Sequence, residues 1–408
     1  MKYCSDADIR KYFYEARIQF ASSGKYDNRE IVLKILKLRE EKAQILGYKN
    51  YAELSLVFKM AESSEQVKTL FGEISEKARP KAESELEEIK NYFGLEYLDT
   101  WDSSFYSRKL REEKYALDEK ELKKYFVFEN VRDALFETVK RLYNLELKKI
   151  EVPLYTTEVE LYEVYKDGKF VSYFYTDYFY TPLKRQGAWA DIQREVFENR
   201  KKIVVNVCNF QKNTDGYTLL TLDEVETMYH EFGHAIHEIL SYSPYSELSG
   251  FHVEWDFVEL PSQLLENWCR HPEGMKLFAR HCETDEMIPD EMLLKLQKLE
   301  TFGNGNMVLK QNEFAMLDMR LHSEAVPESI DKLQKISDEL YLQNSLFPLP
   351  ENYKTYASFS HIFDGGYAAG YYSYMWAEII EKEVWRAFLD SGDIFSPELA
   401  HKFYTTIL

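Results

Sequence analysis

The stretch T-L-D-E-V-E-T-M-Y-H-E-F-G-H-A-I-H-E-I-L, residues 221 to 240, carries its own start signal. Thr221 and Glu224 stand in the T-x-x-E arrangement in which a hydroxyl and a carboxylate cap the first turn of a helix. On that helix His230 and His234 lie four residues apart and project from one face, so both imidazoles can chelate a single ion. Glu231 then falls beside the ion. Neutral imidazole suits zinc, and an open coordination position lets a zinc-bound water ionise near neutral pH while Glu231 takes its proton as general base. The apolar neighbours Met228, Phe232, Ala235 and Ile236 predict a buried helix face rather than incidental histidines on a solvated one.

Such a centre needs a third protein ligand. The extended H-E-x-x-H-x-x-G-x-x-H form requires glycine at position 237 and histidine at position 240, where the chain has His237 and Leu240, so that branch is excluded. A downstream carboxylate is the other solution. Glu259 sits in the apolar run F-V-E-L-P-S-Q-L-L-E of residues 257–266, and a carboxylate buried there is costly unless it is paired or metal-bound. Pro261 either kinks the surrounding helix or occupies its first turn. The expectation is one Zn2+ per chain on His230, His234 and Glu259, with His237 structural or behind the ligands rather than a fourth ligand.

Outward from this centre the pattern is largely helical. From Asp6 to about Leu147, apolar residues such as Ile31, Val32, Ile35, Leu36 and Leu38 recur at helical spacing among charges. The same holds for Ser64 to Phe93, where Pro80 should kink or divide the helix. The period changes between Glu151 and Val207, where Val159–Tyr165, Phe170–Tyr175 and Ile203–Val207 predict a small sheet, with Asp167-Gly168 as a tight hairpin turn. Pro289 to Met319 and Glu328 to Asn344 predict further helices, and Ser396-Pro397 opens a last one. The resulting organisation is a helical region at 1–150, a sheet with the metal-binding helices at 151–270, a helical region at 271–354, and a Gly/Tyr segment with a closing helix at 355–408.

The composition excludes several function classes. At 408 residues the chain holds two or three packed units. Fifty-one Lys and Arg against 70 Asp and Glu give a net charge of -19, which repels a phosphate backbone and an anionic lipid surface, so neither nucleic acid nor a membrane is an expected partner. Cys4, Cys208, Cys269 and Cys282 are scattered and form no disulfide framework. Met1 to Phe20 lacks the apolar core of a signal peptide, and no apolar run approaches the ~20 residues of a membrane span. A cytoplasmic protein is expected.

Three motifs in sequence order then carry a resemblance: H-E-F-G-H-A-I-H, D-F-V-E-L-P-S-Q-L-L-E-N-W from Asp256 to Trp268, and S-H-I-F-D-G-G-Y-A-A-G-Y-Y-S-Y from Ser360 to Tyr374. With them the chain resembles the thimet oligopeptidase family, which includes oligopeptidase A and bacterial dipeptidyl carboxypeptidases. Weaker similarity from Leu46-Gly47-Tyr48 through Lys59-Met60-Ala61, and at Lys184-Arg185-Gln186-Gly187-Ala188-Trp189, extends it over nearly the whole chain. The resemblance implies a mainly α fold, a zincin-type, neurolysin-like helical clamshell with a deep channel and a small β-sheet next to the active-site helix. It also implies one zinc and short peptides as substrates.

Carried over by position, the resemblance makes His230, His234 and Glu259 the zinc ligands and Glu231 the general base. It places His361, Tyr367, Tyr371 and Tyr374 where substrate and the tetrahedral intermediate bind, with His361, Tyr371 and Tyr374 catalytic. A hydroxyl or imidazole N–H about 3 Å from the developing oxyanion would stabilise it. Tyr367, Tyr371 and Tyr374 have the spacing of one helix face, and Gly365-Gly366 with Gly370 predict a mobile loop. Asp256, three residues before Glu259, would share its helical face and orient a ligating imidazole from behind. The implied activity is a zinc metalloendopeptidase that cuts internal bonds of short oligopeptides. The alternatives are a dipeptidyl carboxypeptidase and a truncated, inactive peptide-binding relic. Relative to the family the chain is shortened at both ends, which the missing stop signal of its last helix matches, and a separate chain supplying the N-terminal lobe that the family builds before residues 1–60 is an expected partner. Asp364 stands where the family has a small residue.

Overall fold

Asp167 and Gly168 both adopt left-handed backbone, at φ 51° and 74°, and so make the turn that the right-handed twist of a hairpin demands. In the computed structural model, which describes residues 1–195, 200–241, 243 and 245–408, this turn joins the second and third of five strands. The strands are β1 (Leu145–Lys149), β2 (Glu160–Lys166), β3 (Lys169–Phe179), β4 (Trp189–Arg194) and β5 (Lys202–Phe210). Their order is β1-β2-β3-β5-β4, antiparallel except for the parallel β3/β5 pair. The two strands that the sequence did not announce, β1 and β4, are both edges.

Among the described residues the other regular elements are helices, which bears out a mainly α fold with one small sheet. Ser64–Phe93 runs as one helix of 30 residues with Pro80 inside, so the proline does not divide it. The run expected from Pro289 to Met319 is instead two helices, Asp290–Leu299 and Asn304–Ser323, with Gly303 at φ 87° before the second. A left-handed residue ends helical propagation, and glycine adopts it without steric cost.

The chain forms two compact units. One comprises Met1–Leu117, Glu254–Asp256 and Lys298–Trp376; the other comprises Asp118–Val253, Phe257–Gln297 and Ala377–Leu408. The second contains the whole sheet, with the helix Leu222–Leu240 packed along β5 and β4. Its core mixes aliphatic and aromatic side chains, and in it Phe232 of that helix meets Phe174 of β3 edge-on, with ring centroids 5.1 Å apart. Lys202, at the start of β5, is buried and donates to Glu238 Oε1, Glu238 O and Ser249 Oγ at 2.7, 2.7 and 2.8 Å. That fully paired ammonium pins the C-terminal turn of the helix to the sheet; unpaired, it would be prohibitively costly at that depth. In the first unit Phe71, Leu317, Met319, Tyr356 and Tyr372 belong to one core cluster of helices.

Candidate metal centre

The capping box expected at Thr221 forms in full. Glu224 Oε2 accepts from the Thr221 N–H at 2.7 Å and the Glu224 N–H donates to Thr221 Oγ1 at 3.2 Å. It sets the register that brings His230, Glu231 and His234 to the inner side of the helix. The partner helix, Leu260–Arg270, approaches where the sequence leaves room: a Cβ on Gly233 would lie 2.5 Å from Ser262 Cα and 2.7 Å from Pro261 O. Any side chain at 233 would push this helix away from His234. Pro261 occupies the first turn and Glu259 is the capping residue just ahead of it. Ser262 Oγ donates to Glu259 Oε2 at 3.1 Å, which fixes one carboxylate oxygen.

Glu259 Oε2 lies 3.3 Å from His230 Nε2 and 3.2 Å from His234 Nε2, and a ligand atom from each of the three residues lies within 4.8 Å of the others. Two imidazole nitrogens and one carboxylate oxygen converging on a single point fit a zinc ion with one position left open. Glu259 is 2% exposed. Burial opposes its charge, yet the attraction of His234 and His230 holds its carboxyl well below the ordinary value. Burial likewise opposes a charge on His230, and the carboxylates of Glu259 and Glu266 overcome it. The cluster is thus built to surround a positive charge. Among the described residues it is the one group of His, Cys, Asp and Glu that converges in this way.

Glu231 is 6% exposed, and its Oε2 has no hydrogen-bond partner. A buried carboxylate oxygen with nothing to accept from is costly, which marks it as reserved for a group that arrives. Burial pushes its carboxyl above the ordinary value. Its backbone is held from the sheet: Asn206 Nδ2 on β5 donates to Glu231 O at 2.7 Å.

Behind His230 stands Glu266. Its Oε1 lies 2.6 Å from His230 Nδ1, a contact that would keep the hydrogen on Nδ1 and offer Nε2 to a bound metal. Glu266→Gln is therefore expected to weaken zinc retention about 10- to 100-fold with the fold intact, as measured by competition with a chelator. Retention at the wild-type level would remove Glu266 from this role. Asp256, expected to orient an imidazole, has other partners: its carboxylate accepts from the N–H groups of Met60 at 2.7 Å and Ala61 at 3.0 Å, and from Tyr372 O–H at 2.6 Å. The helix begins only at Leu260, so residues 256 and 259 do not share a helical face. The signal for Glu266 was available, since it follows Glu259 by seven residues, two helical turns. No comparable signal pointed to Asn206.

His361, Tyr367, Tyr371 and Tyr374 come together within the other unit. Tyr367 and Tyr374 stack at 5.0 Å, and the His361 ring lies 5.5 Å from Tyr371 and 6.3 Å from Tyr374. The three tyrosines do not share one helix face, because the helix starts only at Ser373: Tyr367 and Tyr371 precede it, Tyr374 lies in its first turn, and His361 sits on the short helix Ser360–Phe363. Tyr371 O–H donates to Gln311 Oε1 at 3.1 Å, and burial pushes its hydroxyl up to about 12, so it remains a proton donor at neutral pH. The nearby glycines answer crowding rather than a need for mobility. A Cβ on Gly366 would lie 2.8 Å from the Trp255 ring and one on Gly365 2.9 Å from His361 O.

The family model described as Peptidase family M3 matches residues 1–408. Oligopeptidase A of Salmonella typhimurium is 37% identical over 426 aligned residues, covering 100% of this chain and 62% of the relative. Dipeptidyl carboxypeptidase of the same organism is 32% identical, covering 99% and 61%. Among solved structures, PZ peptidase A with an inhibitor superposes with a TM-score of 0.61 at 17% identity, over 98% of this chain and 62% of that one. The chain thus spans under two thirds of the length of these relatives.

Proposed function

This chain belongs to peptidase family M3, and from that premise we propose that it is a zinc metalloendopeptidase that hydrolyses internal bonds of short, unstructured peptides. The observation that carries the proposal is the convergence of His230, His234 and Glu259 beside a buried Glu231 oxygen that has no partner. A bound zinc would supply Lewis acidity toward the scissile carbonyl and a water that ionises near neutral pH. His230 and His234 would each present Nε2, the former oriented by Glu266. Glu231 would take the proton of the attacking water and deliver it to the leaving amine. Tyr371, Tyr374 and His361 would donate hydrogen bonds to the developing oxyanion, and Tyr367 would line the peptide's path.

The second reading, a dipeptidyl carboxypeptidase, is favoured by one observation: a relative of that name matches nearly the whole chain at 32% identity. The readings differ in what they require of the substrate's end. The deciding experiment measures zinc content together with cleavage of one quenched peptide bearing a free or an amidated C-terminus. The expected result is stoichiometric zinc and similar rates on both. Loss of cleavage on amidation, with dipeptides released from the free form, would establish the carboxypeptidase. Zinc without any turnover would leave the peptide-binding relic. Turnover by the purified chain alone would remove the need for a separate chain supplying another lobe. A cytoplasmic location belongs to the proposal and is supported by four free cysteines. No described helix is long and apolar enough to cross a membrane.

A further inference from the structure

Asp318, on the helix Asn304–Ser323, is fully buried, yet neither the metal chemistry nor the sequence motifs use it. Its carboxylate gathers three consecutive backbone amides. Oδ1 accepts from Ala369 N–H, and Oδ2 from Gly370 N–H and Tyr371 N–H, each at 2.8 Å. Successive N–H groups converging on one point make an anion-binding concavity, and here the anion is built into the chain. Ala369 sits at φ 49°, the left-handed region that a Cβ disfavours, so this backbone needs holding.

The residue is itself held. His322 Nδ1, one turn along the helix, is hydrogen-bonded to the Asp318 backbone oxygen at 2.8 Å and stands 2.9 Å from Oδ1, and Arg39 Nη1 lies 3.0 Å from His322 Nε2. A guanidinium only donates, so His322 Nε2 accepts and Nδ1 carries the hydrogen toward Asp318. On either side the segment is tied again: Ser55 Oγ donates to Ala368 O at 2.9 Å, and Tyr372 O–H donates to Asp256.

We propose that Asp318, backed by His322 and Arg39, is the positioning residue that fixes the 369–371 backbone so that Tyr371 and Tyr374 present their hydroxyls in one geometry. The inference rests on the reading of these tyrosines as donors to the reacting peptide. It reverses the expectation of a loop that closes: the tyrosines stand ready before substrate arrives, and the reaction need not supply the cost of ordering them.

The test is Asp318→Asn in the full-length, zinc-loaded chain, assayed on a short quenched peptide. The side chain keeps its shape but loses the charge and one acceptor oxygen. The expected result is a fall in kcat of about 10- to 100-fold, the scale of a misplacement near 1 Å, with KM changed less than about threefold and zinc content unaltered. Amide exchange at residues 369–371 should accelerate while the rest of the unit stays protected. In a Tyr371→Phe/Tyr374→Phe background, Asp318→Asn should cost little more. Full additivity, or kcat within about twofold of wild type, overturns the inference. Slow tyrosine variants beside an unaffected Asp318→Asn defeat this inference alone. Full-rate tyrosine variants defeat the functional reading of those residues, and a slow Asp318→Asn beside them overturns the inference as well. Should Asp318→Asn not fold, Arg39→Met tests the outer end of the same chain of contacts. A kcat fall of about threefold or more is then expected, and an unchanged rate overturns the inference.

Discussion

Glu231→Gln is expected to keep stoichiometric zinc and the native fold while kcat falls by about 10²- to 10⁴-fold, the contribution of a positioned general base. Glutamine is nearly isosteric with glutamate, so the Phe232 packing against β3 and the Asn206 bond to the backbone carbonyl of residue 231 are undisturbed. Only the acceptor that is left without a partner in the buried site is lost. The substitution removes a buried carboxylate with no hydrogen bond at one oxygen, so thermal stability should stay level or rise slightly, because that group is costly to bury. A variant that is as stable as the parent, loaded with zinc and inactive would isolate proton transfer from metal binding. Wild-type turnover in a zinc-replete variant would sink the mechanism.

What the sequence could reveal follows from how local each feature is. The capping box at Thr221, the His230/His234 pair and the Asp167-Gly168 turn depend on neighbours within a few positions, and each is found as the sequence implies. L-E-L-K-K and W-A-D-I-Q-R did not announce β1 and β4, because edge strands of a mostly buried sheet carry charge where they meet solvent. Asp256 and Asp318 were illegible for another reason. Their partners are backbone amides of residues 60 and 61 and of 369–371, distant in sequence, and an amide bears no residue type that could signal its acceptor. The glycines of residues 365–370 point the same way, since glycine marks either freedom or close contact and only the neighbouring atoms tell which.

Glu259→Gln makes the converse demand: it should lose zinc first and activity as a consequence. In the wild type one oxygen of an almost completely buried carboxylate serves both imidazoles, at 3.3 and 3.2 Å. The amide keeps the volume but carries no charge, and removing one partner from a buried ionic cluster costs on the order of 3–5 kcal/mol, roughly 10²- to 10⁴-fold in affinity. Zinc that binds only the native state stabilises it in proportion to the logarithm of its free concentration over Kd. Wild-type protein should therefore show a rise in Tm on adding zinc that Glu259→Gln lacks at the same concentration. If the variant instead retains one zinc against a chelator as firmly as wild type, another carboxylate must be the ligand. Glu266 would fill that role poorly, because it is committed to Nδ1 of His230 and so lies on the side of the ring away from the other donors. Measured together, the two substitutions separate by kind: one holds metal without turnover, the other loses turnover because it loses metal, and added zinc rescues only the second.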